Sequence, residues 1–345
     1  MKLVSSIQSS LLAVLTLAAT SALAWDYEVH RFVNQVGLQS LPTNFPSFVF
    51  TAAARERVAF LGGEPDRWRN TPDMALRHYN HPDHYLDVED LALYGLDAKT
   101  VAPLRFDFVA QLAQARAAHP TNFPPMDASK DPDHTRWLTG FLPWTITEFY
   151  DKLKSQLSYL RAYEEAGTPE EIRNAQENIV YVMGLMGHFV GDATQPLHTT
   201  KHYNGWIGDN PKHYTTSKSF HSWIDGGFLR AAGFKTNEVL AQVRPARLLW
   251  PEADSVAHTN LFPEVLGYVL EHHRQLEPLY QLDKDQGLSP RGGNTDAGRK
   301  FLASQLLKAG QMLGDLWLSA WREAPADKYL QRELEKRTAT SHPSE

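Results

Sequence analysis

Apolar residues in this chain recur at three- and four-residue intervals, and two-residue alternation is scarce. That period predicts amphipathic helices over 28–40, 48–61, 103–118, 146–166, 170–191, 220–232, 262–276 and 296–324. The fifth has a clear start, because Thr168 as N-cap, Pro169 in the first turn and Glu171 form a capping box. Its apolar face runs through Ile172, Ile179, Val182, Met183 and Met186, and Pro196 sets its stop. The last helix repeats Leu302, Leu306, Leu313 and Trp317. With no internal repeat and no long low-complexity linker, the pattern predicts one all-α, multi-helix domain. Its polar connections fall at 62–90, 119–142 and 199–219, and a charged tail, 327–345, is expected to fray.

Composition adds a boundary at the start. The chain has 345 residues, 42% of them hydrophobic, which suffices for a full core. Lys2, the apolar run 11–19 and Ala22-Leu23-Ala24 read as a secretory leader over 1–24, too short to span a membrane. The domain then runs from 25 to 326 in a secreted or periplasmic protein. Its removal takes only Lys2, so Lys+Arg falls from 34 to 33 against 40 Asp+Glu, a balance of −7. Such a surface is not charged for tight non-specific binding to duplex nucleic acid, although bound cations would reverse the sign locally. The chain has no cysteine. An exported protein without disulfides needs another staple, and a zinc site here must use His, Asp, Glu or backbone groups.

The densest chemistry lies in Gly187-His188-Phe189-Val190-Gly191-Asp192-Ala193-Thr194-Gln195-Pro196-Leu197-His198, followed by Phe220-His221-Ser222-Trp223-Ile224-Asp225. His188 with Asp192, and His221 with Asp225, are spaced to share a helix face one turn apart. A lone histidine on a helix is ordinarily a hydrogen-bonded structural residue, and one His–Asp pair is an ordinary local contact. Two pairs with His198 closing the first motif are better explained by metal, because burying them unpaired costs several kcal/mol. Zinc suits this donor set. Upstream, His84 lies in Pro82-Asp83-His84-Tyr85-Leu86-Asp87, Asp66 in Gly62-Gly63-Glu64-Pro65-Asp66, and His30 on the first helix. Each alone is unremarkable. Trp25, as a new N-terminus, offers an amine and a carbonyl that can chelate an ion in a five-membered ring.

In this order the residues resemble the zinc-dependent phospholipases C and class I single-strand nucleases. The resemblance runs through Trp25-x4-His30, Pro65-Asp66, His84-Tyr85-Leu86-Asp87, His188-x3-Asp192-x5-His198 and His221-x3-Asp225, most of the chain after the leader. It implies a helical fold and three zinc ions. One would be held by Asp66, His84, His188 and Asp192. A second would take Trp25, His30 and a bridging Asp192, and a third His198, His221 and Asp225. Asp73, in a second Pro-Asp step, is the alternative to Asp66. Asp66 would also accept a proton from water, and Asp87 would orient a ligand histidine. The implied activity is hydrolysis of phosphoester bonds by zinc-activated water.

Two branches compete. Asp225 and the long interval from His198 to His221 resemble the nucleases, whose partners are single-stranded nucleic acid and nucleotides. The nuclease Gly-Gly-Asn element is missing from that interval, and 88–187 is longer than either branch implies. The alternative is a phospholipase C acting on phospholipid head groups. A third reading is a zinc-stapled envelope protein without catalysis. Tyr85, Tyr203 and Trp206 are expected either as a stacking platform for an unpaired base or as packing aromatics.

Overall fold

A computed structural model describes residues 26–341 except 124, 126, 251–259 and 290–294. The expected leader lies outside the described residues. In chain order the α-helices are α1 (Tyr27–Ser40), α2 (Ala52–Leu61), α3 (Glu64–Arg69), α4 (Met74–Asn80), α5 (Arg105–Ala118), α6 (Leu142–Ala166) and α7 (Pro169–Thr194). They continue as α8 (Phe220–Ser222), α9 (Phe228–Ala231), α10 (Thr236–Leu240), α11 (Phe262–His273), α12 (Leu276–Lys284), α13 (Asp296–Glu323) and α14 (Lys328–Ser341). No strand occurs among the described residues, so the domain is all-α as expected. None of the described helices is long and apolar enough to cross a membrane.

Helices α1 and α6 each pack on α7 and α13, which pack on each other, with α2 against α1 and α7, and α11 against α6. The seam between α1 and α7 is built on missing side chains. A Cβ on Gly187 would fall 1.7 Å from Asn34 Oδ1, and one on Gly191 would fall 3.1 Å from His30 Nδ1. The two helices therefore run antiparallel and touch closely, which carries the first turn of α1 to the last turns of α7. Asn34, buried in this seam, donates through Nδ2 to Val58 O at 2.7 Å and Gly184 O at 3.0 Å, tying α1, α2 and α7 together.

The capping box forms as expected. Thr168 accepts from Glu171 N, and Glu171 Oε2 accepts from Thr168 N at 2.8 Å. Other expectations need correction. The segment 48–61 splits at Thr51, which caps α2 after the 3₁₀ turn Ser47–Phe50. Segment 262–276 breaks at Arg274 and Gln275 and resumes as α12. The region 62–90, read as a loop for its Pro-Asp steps, contains α3 and α4, because Pro65 sits in the first turn of α3, where a missing N–H does no harm. The tail expected to fray includes α14. Leu334 is buried, Gln331 donates to Glu165, and Arg337 pairs with Glu171 against α6 and α7.

Candidate metal centre

Three elements converge where α1 begins and α7 ends. The last turns of α7 supply His188 and Asp192, both fully buried. His188 Nδ1 donates to Gly62 O at 2.7 Å, and this leaves Nε2 as the inward atom. That Nε2 lies 2.9 Å from His84 Nδ1, 3.3 Å from Asp192 Oδ2 and 3.9 Å from Asp66 Oδ1. His84 ends the 3₁₀ turn His81–His84, and its Nδ1 is 3.1 Å from Asp192 Oδ2. Asp66 lies on α3, with Oδ1 2.8 Å from Arg69 Nε one turn later.

The other carboxylate oxygen of Asp192 faces α1. His30 Nε2 is 3.5 Å from Asp192 Oδ1, and the His30 ring stacks on His188 with centroids 3.8 Å apart. Both His30 nitrogens, His84 Nε2 and Asp192 Oδ1 are buried without a hydrogen-bond partner in the protein. Leaving such atoms unpaired costs about 1–3 kcal/mol each, so the chain alone is a poor account of this arrangement.

A third group opens outward. His198 follows α7 on the 3₁₀ turn Pro196–Thr199, and its Nδ1 donates to His84 O at 2.6 Å. His198 Nε2 then faces His221 Nε2 at 3.1 Å, and His221 Nε2 is 3.1 Å from Asp225 Oδ2. His221 and Asp225 are not on one regular helix as expected. A π-turn, Trp223–Gly227, separates α8 from α9 and widens the backbone beside the carboxylate. Gln195 Nε2 donates to Asp225 Oδ1 at 2.9 Å, leaving Oδ2 for the histidine.

Potential ligand atoms therefore gather into three groups: Asp66, His84 and His188; His30, His188 and Asp192; and His198, His221 and Asp225. Within each group they lie within 4.8 Å of one another. These are buried His/Asp groups at metal-binding distance, and His188 with Asp192 links the first two. Asp66 takes the place left open between it and Asp73, which is exposed near Thr71. Trp25 lies outside the described residues. Its neighbour Asp26, the N-cap of α1, donates its backbone amide to Asp225 O at 3.0 Å, so the start of α1 is fastened to the third group.

Burial sets the electrostatics. It pushes His30, His84 and His198 well below the usual imidazole range, aided by neighbouring histidines and Arg69. His221 falls to about 3 for the same reasons, burial and then the Arg69 charge. Neutral imidazole is the form that binds metal. Burial also lowers His188, but the Asp192 and Asp66 charges and its hydrogen bonds outweigh that and raise it. Asp192 and Asp225 are pushed up by burial, a penalty that a bound cation would relieve.

Several contributors were not read from the sequence. The orienting role expected of Asp87 falls instead to the carbonyls of Gly62 and His84 and to Gln195. Gln195 sits inside the quoted motif, so its place was visible though its task was not. Arg69 lies one helical turn beyond Asp66. Trp206 is a packing aromatic: it stacks on His202 with centroids 4.1 Å apart and donates to Asp209 O. Tyr203 differs, being 51% exposed with its ring edge-on to His221. Comparison of the chain with family models, curated proteins and solved structures returns no match.

Proposed function

We propose that this protein is an exported zinc-dependent phosphodiesterase, a nuclease/3′-nucleotidase acting on single-stranded nucleic acid. One observation carries the metal reading: three adjoining His/Asp groups bury imidazoles and carboxylates against one another, and His30, Asp66, His84, Asp192 and Asp225 keep atoms that no hydrogen bond within the protein uses. The donors fit zinc, being nitrogen and carboxylate oxygen without sulfur. Asp66, His84, His188 and Asp192 would hold one ion. His30 and Asp192, joined by the N-terminal Trp25 after leader removal, would hold a second. His198, His221 and Asp225 would hold the third. When bound, such ions would neutralise phosphate oxygens, lower the pKa of water towards about 7 and stabilise a leaving alkoxide.

The remaining work falls to the chain's own groups. Arg69, largely buried beside Asp66, adds a fixed positive charge for an anionic phosphodiester. The third group has the most exposed histidine, so substrate would approach past His221. The exposed Tyr203 ring beside His221 offers a surface on which an unpaired base would stack, worth about 1–3 kcal/mol. A phospholipase C reading draws on a different feature, the exposed apolar Met74, Leu76 and Tyr79 of α4. Zinc-loaded protein assayed on denatured DNA or RNA and on phosphatidylcholine micelles separates them. Nucleotide release is expected. Diacylglycerol release alone favours the phospholipase, and neither activity with metal retained leaves a structural zinc protein.

A further inference from the structure

The long stretch between Asp87 and His188 meets the site-bearing turn at several places, one of which is Asp133. Asp133 is buried at 2% exposure, and His81 Nδ1 lies 2.8 Å from its Oδ2. Thr135 Oγ1 donates to Asp133 Oδ1 at 2.8 Å, and Arg77 Nε donates to Oδ2 at 3.1 Å. The loop carrying Asp133 is itself fastened. Asp131 Oδ1 accepts from Thr135 N and Arg136 N, His134 takes a left-handed φ of 57°, and the Asp133 carbonyl meets His78 Nδ1 at 2.6 Å. This is a constructed support for one imidazole, made by a segment remote in sequence.

His81 is placed for use. It opens the 3₁₀ turn that ends in His84, and the Arg69 charge acts on both histidines. His84 is fully buried, whereas the His81 side chain is 38% exposed. His81 is thus the outer neighbour of a deep ligand, and its ring touches Tyr85 edge-on, centroids 5.8 Å apart. Asp133 is held below the ordinary carboxylate range: burial raises it, but Thr135, His81 and Arg77 together outweigh that. An ionised carboxylate only accepts, so Nδ1 must carry its proton towards Asp133, and Nε2 is the nitrogen left to exchange a proton.

We propose that His81, positioned by Asp133, donates the proton that the leaving oxygen needs when the phosphoester at this site is cleaved. The inference rests on the phosphodiesterase reading above. In the step, water oxygen bonds to phosphorus and the bond to the leaving oxygen breaks, its electron pair staying on that oxygen. The Nε2–H proton moves to the same oxygen, giving the alcohol. The proton shed by the attacking water returns to solvent, from which neutral His81 is reprotonated. The charged groups facing His81 are Asp133, Arg77 and Arg69. Burial and Arg69 disfavour the imidazolium while Asp133 favours it, and a phosphodiester anion beside Arg69 removes part of the opposition.

The test compares leaving groups. Bis(p-nitrophenyl) phosphate releases a stable phenolate that needs no proton. A dinucleoside monophosphate, or phosphatidylcholine if only that is cleaved, releases an alkoxide that does. In His81→Gln, kcat on the alkoxide substrate should fall ~100-fold or more, the scale of general acid catalysis, and on the phenolate substrate by less than about 5-fold. Asp133→Asn and the milder Thr135→Val should show the same asymmetry, reduced, with zinc content unchanged. Equal losses on both substrates, no loss on either, or loss of zinc would overturn the assignment. If the unaltered, zinc-loaded protein cleaves none of these esters, the phosphodiesterase reading fails first and this role falls with it.

Discussion

The His198 ring is aimed by the backbone of His84: His198 Nδ1 donates to the His84 carbonyl at 2.6 Å. One residue therefore contributes a side chain to the first group and orients a side chain of the third. With Nδ1 committed, His198 can present only Nε2 to a cation, and that atom already faces His221. The groups are mechanically coupled, so disturbance at His84 should reach His198 without a change in any shared ligand.

Asp192 should be the most damaging single ligand to remove. Its two oxygens face different histidines, Oδ1 towards His30 and Oδ2 towards His84 and His188. Asp192→Asn keeps the shape but halves the anionic donors available to the linked groups. Elemental analysis should show about two fewer zinc ions per chain, with phosphoester hydrolysis lost. Near-normal metal content and activity would reject the bridging role.

Gln195 should act on one group alone. Its side chain holds Asp225 Oδ1 and accepts from Leu197 N, and only its backbone amide, which a side-chain substitution keeps, meets another group's ligand, at Asp192 O. Removing such an orienting partner typically weakens metal binding about 10–100-fold. Gln195→Leu should therefore lose one zinc readily in a chelator titration while two persist. Uniform weakening of all ions would show that Gln195 serves general packing instead.

Gly187→Ala tests the seam that brings His30 to Asp192. The added methyl would meet Asn34 Oδ1, a buried amide already bound to two other helices. Overpacking of this kind costs about 1–3 kcal/mol. The variant should unfold at lower denaturant and should bind less metal at the His30 group. An unchanged midpoint with full zinc content would mean that α1 shifts freely, which the close packing argues against.

Much of this was legible along the chain, for definite reasons. Helix α7 carries a capping box, a periodic apolar face and a proline stop, so its limits were set locally. The His188–Asp192 pair on it was recognisable because its spacing matches a helical turn. Asp66 and His84 were harder, since their shared partner His188 lies 104 residues from His84 and further still from Asp66, and only the fold unites them. The π-turn at Trp223–Gly227 had no local signal, because its geometry is set by the packing around Asp225. The Asp133 support was invisible too: Pro- and Asp-rich sequence reads as ordinary turn, and its meaning depends on His81 lying beside it.

In metal-free protein the candidate ligand groups should stabilise the fold less on acidification from pH 6.5 to 4.5. Burial holds His30, His84, His198 and His221 below their ordinary range, the last at about 3, while an unfolded chain titrates these groups near about 6.5. In this window the unfolded chain gains protons at four histidines that the folded chain does not. His188, raised rather than lowered, is protonated in both states there and contributes little. Asp192 and Asp225, raised by burial, work the other way, because the folded chain keeps protons that the unfolded chain has released. Among the candidate ligands, four lowered histidines outnumber two raised carboxyls, so this site takes up protons on unfolding, and each net proton lowers its contribution by about 1.4 kcal/mol per pH unit. The chelator-treated protein's denaturation midpoint should therefore fall more steeply across pH 6.5, 5.5 and 4.5 than that of its His221→Gln variant, which lacks one such imidazole. Zinc-loaded protein should start higher and converge on it in acid, as protons displace metal from the same nitrogens. Equal slopes in the parent and the variant would mean that His221 is not buried neutral, and the ligand geometry would have to be redrawn.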